Sequence, residues 1–128
     1  MGAFTRNPVG RVHAYGSIRS GAGTWLHERL SGLALLPLSL WFLLAAVSLS
    51  GATYEEVRAW LAGPVNTTLM LLFVVLAFWH ARLGIRVVIE DYVHHEGWKL
   101  GALLANTWLH VLVGTACVVA ILKVSLGS

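Results

Sequence analysis

Charge is scarce in this sequence. Only 12% of its 128 residues are Asp, Glu, Lys or Arg, and 57% are hydrophobic. A soluble domain carries roughly twice that share of charge. With a mean hydropathy of +0.72, the deficit argues for lipid as the main solvent. Cysteine is nearly absent: the single Cys117 excludes an intrachain disulfide and a cysteine metal cluster. It lies in an apolar run and reads as a small packing residue. No nucleotide-binding loop, nucleophile triad or metalloprotease motif is present, so catalysis by this chain alone is not expected. The net charge of +3 is too modest to suggest nucleic acid.

Acids are missing from the first 24 residues, which are polar and carry Arg6, Arg11 and Arg19. No short apolar core with a small-residue cleavage site follows, so this is not a secretory signal. A cytoplasmic tail is the simpler reading, an organellar transit peptide the other. Residues 25–128 read as one membrane domain. Three apolar runs, about 30–49, 65–89 and 100–122, are each long enough to cross a bilayer. The fold class is an all-α membrane protein with three transmembrane helices. Pro37 is expected to kink the first. Ser31, Gly32, Ala34 and Ser39 suit close helix contact. TYEEVRAW, in the loop between the first two spans, reads as a short surface helix. Asn66 is expected to cap the second span, and Glu90 to Lys99 forms a charged turn before the third.

Basic residues gather at the first tail and around the second turn, as Arg82, Arg86 and Lys99. The first loop holds Arg58 and the far end Lys123. The positive-inside rule then puts the amino terminus and the Glu90–Lys99 turn on the cytoplasmic or matrix side. Trp25 and Trp98 would be belt residues there, and Trp60 on the other side.

His80 is the sharpest candidate for chemistry. Eleven helical residues bring Asp91 back to within about 20° of His80 and roughly 16 Å along the axis. Gly84 and Val87 lie between them. One stripe of one helix thus offers a deep imidazole, a gap without a side chain, and the Asp91–Tyr92 pair at its mouth. An imidazole inside a span either ligates haem iron or bonds a neighbouring helix, and spacing leaves both open. Tyr92 can donate to a quinone carbonyl, with Asp91 orienting it or relaying a proton; a cap and a belt aromatic are the plainer reading. Arg82 and Arg86 read as snorkelling to the interface, or as partners of propionates or acids. Arg29 either pairs with a propionate or anchors the helix end. His94 and His95 read as solvated. His110 is a competing ligand: if it and His80 both bound iron, this chain alone would hold the haem; helix–helix hydrogen bonding of His110, with Asn106, is the equal alternative.

His80 followed after ten residues by Asp91–Tyr92, in the second of three spans, resembles the small hydrophobic membrane anchor of succinate dehydrogenase, respiratory complex II. The stretch HERLSGLALLPLSLWF, His27 to Phe42, is similar to the alphaproteobacterial form. The resemblance covers Trp25 to the end of the third span. It implies a membrane anchor of a succinate:quinone oxidoreductase, with a quinol:fumarate reductase anchor or a non-catalytic three-span scaffold as alternatives. A second three-span anchor, the cytochrome b subunit, would pack beside it. An iron–sulphur subunit and, through it, a flavoprotein subunit would dock on the cytoplasmic or matrix face of the bacterial inner membrane, or of the mitochondrial one. The resemblance further implies His80 as an axial ligand of a haem b shared with the cytochrome b subunit. It implies Tyr92 as the residue bonding ubiquinone, Asp91 as its support, and Arg29 near a haem propionate. His94 and His95 receive no role from it.

Overall fold

A computed structural model describes the backbone over residues 8–127 and the side chains over residues 21–127. Four helices follow in order: α1 (Pro8–Ser48), α2 (Tyr54–Leu61), α3 (Pro64–Tyr92) and α4 (Glu96–Leu126), with no strand among the described residues. Three of them carry apolar stretches long enough to cross a membrane: Gly21–Ser48, Pro64–Tyr92 and Glu96–Leu126. At about 1.5 Å per residue each exceeds the roughly 30 Å of a hydrocarbon core. The three expected spans are therefore present, and each helix runs past its apolar run. The expected boundary at residue 24 is no break in the backbone, because α1 continues unbroken from Pro8. Arg6, Arg11 and Arg19 lie outside the residues whose side chains are described.

Local chemistry sets the helix ends. Pro64 opens α3 at its first turn, where its missing N–H leaves nothing unsatisfied. The N-cap is Gly63, not Asn66. Asn66 lies inside the first turn and donates Nδ2–H to the Trp60 carbonyl at 2.8 Å. Thr67 likewise donates to the Leu61 carbonyl. These bonds tie the α2–α3 corner to the start of the span. Thr53 and Glu56 form a reciprocal capping box at the head of α2. Its bond to the Thr53 backbone, then its bond to the Thr53 side chain, hold the Glu56 carboxyl below the usual glutamate range. The α3–α4 connection is only residues 93–95. The sequence suggested a longer turn because charged residues that close α3 and open α4 look like loop. Gly127 ends α4 in the left-handed region, φ 75°.

α3 is the middle helix. It packs on α1 on one side and on α4 on the other, while the backbones of α1 and α4 nowhere come within 8 Å among the described residues. On the α1 side, Phe42 stacks on Phe73 with ring centroids 4.7 Å apart. On the α4 side, Phe78 lies against Gly114, where an added methyl would meet its ring at 3.3 Å. Trp60 of α2 stacks on Trp41 of α1. A single layer of helices encloses little. Among the described residues the buried ones are Ala45, Leu61, Leu83, Ser31 and Asn106, and none of the large side chains there is fully buried. Leu33, Leu36, Val47 and Leu112 are all more than 60% exposed. Apolar surface on that scale requires lipid or partner protein around it.

Candidate functional site

His80 lies just past the middle of α3 and turns toward α1. Its Nδ1 is 3.0 Å from Ser31 Oγ. Ser31 is only 6% exposed, and its hydroxyl also sits 3.0 Å from the Glu28 carbonyl. Gly32 lies under the ring: a methyl placed there would come within 3.1 Å of His80 Cε1. Of the four small residues expected to mediate helix contact, these two do so at the histidine. Ala34 is exposed instead. His80 Nε2 makes no hydrogen bond among the described residues.

The stripe beyond His80 is open. A side chain at Gly84 would meet nothing within 4 Å. Val87 is exposed, as are Asp91 and Tyr92 in the last turn, the latter at 78%. Asp91 keeps to the His80 face, whereas Tyr92, one position on, is turned about 100° further round the helix. The phenol is therefore at the mouth of the stripe but to one side of it. His94, exposed as expected, folds its Nδ1 to 3.0 Å from the Tyr92 carbonyl. That bond satisfies one of the carbonyls a helix end leaves free.

His110 is on the wrong side of α3 to share a metal ion with His80. It meets the edge of Phe78, ring centroids 6.1 Å apart. Phe78 is two residues from His80, hence roughly 160° round the helix. His80 faces α1, while His110 stands on α4 against the opposite face of α3, so the two cannot converge on one metal ion. Nor does His110 bridge helices through Asn106. Its Nδ1 donates to the Asn106 carbonyl of its own helix at 2.8 Å. The interhelical bond belongs to the buried Asn106 side chain, whose Nδ2 donates to the Arg82 carbonyl of α3 at 3.0 Å. An open groove of about 290 Å³ lies between α3 and α4, with Val75, Trp79, Arg82 and His110 on its walls.

The arginines differ from one another. Arg86 bonds Glu90 at 2.7 Å, one turn nearer the helix end, with both side chains half-exposed. That is the direction snorkelling requires. Arg82 does the opposite: its guanidinium lies 4.6 Å over the Trp79 ring, away from the nearer helix end. A cation–π contact holds it there. Arg29 lies over Trp25 at 5.3 Å. Two residues from Ser31, it is roughly 160° round α1 from the side that faces His80. No cluster of three or more His, Cys, Asp or Glu that could hold a metal ion occurs among the described residues. A single axial imidazole is not such a cluster.

Sequence reasoning did not find Ser31 as the partner of His80. The one signal was a small polar residue within an apolar run. It did not find the Asn106–Arg82 bond either, because the acceptor is a backbone carbonyl and leaves no mark in the sequence.

The succinate dehydrogenase/fumarate reductase transmembrane subunit family matches over residues 5–122. The chain is 35% identical over 107 residues to the succinate dehydrogenase hydrophobic membrane anchor subunit of Rickettsia conorii, covering 83% of this chain and 79% of that one. It is 30% identical over 106 residues to the protein of the same name from Rickettsia bellii, covering 83% and 85%. Similarity to the succinate dehydrogenase membrane anchor subunit of Reclinomonas americana is 32% over 81 residues, covering 61% and 68%. No solved structure matches the chain.

Proposed function

This chain belongs to the succinate dehydrogenase/fumarate reductase transmembrane subunit family, and we propose that it is the hydrophobic membrane anchor of a succinate:quinone oxidoreductase, with His80 as an axial ligand of haem b and Tyr92 and Asp91 at the quinone. The observation that carries this reading is the state of the His80 ring. Nδ1 is occupied by Ser31 and Nε2 has no hydrogen-bond partner among the described residues. Beside it the Gly84 position faces open space. A haem ligand needs this division: one nitrogen held by protein, the other available to iron, and room for a flat macrocycle. The residues present fit the group.

A b-type haem bound there supplies a one-electron carrier within the membrane. The chain's own residues do the rest. His80 binds and orients it. Tyr92 donates its phenolic O–H to a quinone carbonyl, and the Asp91 carboxylate, beside it at the mouth, accepts or relays a proton. Since His110 lies against the opposite face of α3, any second protein ligand to such a haem would come from another chain. The three-span cytochrome b subunit is the partner this requires. Arg29 serves a propionate only if that group reaches round the outer side of α1. The iron–sulphur and flavoprotein subunits dock over the Asp91–Tyr92 mouth, on the side where Arg86 and Lys99 mark the cytoplasmic or matrix face of the inner membrane.

A quinol:fumarate reductase anchor uses the same parts, and the chain's family includes both. A scaffold without cofactor is favoured by one observation, the Ser31 bond, which also suits a packing histidine. An optical spectrum separates them. The complex purified from membranes should give a reduced-minus-oxidised signal of b type, lost or altered in His80→Ala. A complex that copurifies with flavin and iron–sulphur centres, yet whose spectrum ignores His80→Ala, would remove the haem reading.

A further inference from the structure

The hydroxyl of Ser31 has one proton and two neighbours. The Glu28 carbonyl, 3.0 Å away, can only accept. The His80 Nδ1, also 3.0 Å away, can donate or accept. With the serine proton directed to the carbonyl, the oxygen offers a lone pair to the ring, and Nδ1 must carry the hydrogen. A neutral imidazole protonated on Nδ1 has a bare lone pair on Nε2. The second contact fixes the ring's position. His80 Cε1, between the two nitrogens, lies 3.1 Å from where a Gly32 methyl would be. Any side chain at residue 32 would displace the ring. Both restraints come from one turn of α1, though the histidine belongs to α3.

We propose that Ser31 and Gly32 are positioning residues for the iron ligand: Ser31 selects the Nδ1–H tautomer and so makes Nε2 the metal-binding nitrogen, and Gly32 sets the plane of the ring. The proposal rests on the reading of His80 as a haem ligand. Its consequence is electronic as well as geometric. An imidazole that donates Nδ1–H to an oxygen is a stronger electron donor at Nε2 and favours ferric iron. Loss of the acceptor raises the haem midpoint potential and loosens the haem. Removal of such a supporting partner costs about 10- to 100-fold in metal affinity.

The test uses the assembled four-subunit complex. Haem per flavin, the optical midpoint potential and the ferric electron paramagnetic resonance signal are measured for Ser31→Ala, Ser31→Thr, Ser31→Cys, Gly32→Ala and His80→Ala. Ser31→Ala is expected to lower haem affinity at least about tenfold and to raise the midpoint potential. Ser31→Cys, similar in size but a poor acceptor, should do the same, which separates lost hydrogen bonding from lost packing. Ser31→Thr, which keeps the hydroxyl, should restore wild-type values. Gly32→Ala should shift the ferric signal, which reports the ligand plane. Wild-type haem content and potential in both Ser31→Ala and Ser31→Cys, with His80→Ala altered, would overturn the role of Ser31 and leave the ligand in place. A spectrum indifferent to His80→Ala would overturn the parent reading, and the positioning role with it.

Discussion

At His80 the two ring nitrogens have different surroundings, and the difference extends to the mouth of the same stripe. Tyr92 is 78% exposed and no hydrogen bond to its hydroxyl occurs among the described residues. Removing that hydroxyl should leave the fold alone, within about 0.5 kcal/mol. If the phenol donates to a quinone carbonyl, Tyr92→Phe should lower succinate–quinone turnover about 100-fold. Succinate oxidation by a soluble dye at the docked subunits should stay at the wild-type rate, and the optical spectrum should not change. Equal turnover in both assays would remove Tyr92 from the quinone site. The stripe itself was legible in the sequence, because eleven residues of helix return to one face whatever packs around them. The Ser31–His80 pair was not. Its members are 49 residues apart, and only the register of α1 against α3 makes them meet.

Among the helices, one interhelical bond and one helix cap make the clearest tests. Asn106 spans α3 and α4 with a single donor to the Arg82 carbonyl. Interhelical bonds in membranes average about 0.6 kcal/mol, with an upper range near 1.7. Asn106 is only 7% exposed, so Asn106→Ala should cost about 1 kcal/mol, read as a lower thermal midpoint in detergent. Asn106→Asp, which cannot donate when ionised, should cost more. The capping box of α2 gives a pH dependence. The Glu56 carboxyl is held below its ordinary range by Thr53, so its contribution is complete above the ordinary glutamate value of about 4.3. It is lost as pH falls through the lower folded value. Hydrogen exchange over Tyr54–Leu61 should therefore speed up, relative to the intrinsic rate, only below about pH 4.3. Thr53→Ala should speed it several-fold at neutral pH, and it should remove the acid step. The existence of α2 was legible from TYEEVRAW. Its neighbours were less so: Asn66 has a cap-forming side chain, but Pro64 starts the helix two residues earlier and turns Asn66 back to the Trp60 carbonyl.

As a whole, the molecule is one layer with α3 at its centre. Three spans could be read from apolar runs alone, since lipid demands length and composition before any contact. The order in which they pack could not, and that order decides whether His80 and His110 can meet. With His80 turned to α1 and His110 standing on α4 against the opposite face of α3, this chain could offer a haem one histidine and no second. Expressed without the cytochrome b subunit, it should show no low-spin spectrum of a bis-histidine haem. Expression of both anchors together should produce it. A bis-histidine signal from this chain alone would contradict the packing order.

The shortage of buried surface has a consequence for the cell. A copy of this chain made in excess has only lipid, and no partner helices, against its exposed faces, and such unassembled chains are triaged by chaperones and proteases. Surplus chains should have a shorter half-life than assembled ones, so that the abundance of the scarcest partner sets how many copies of this one persist.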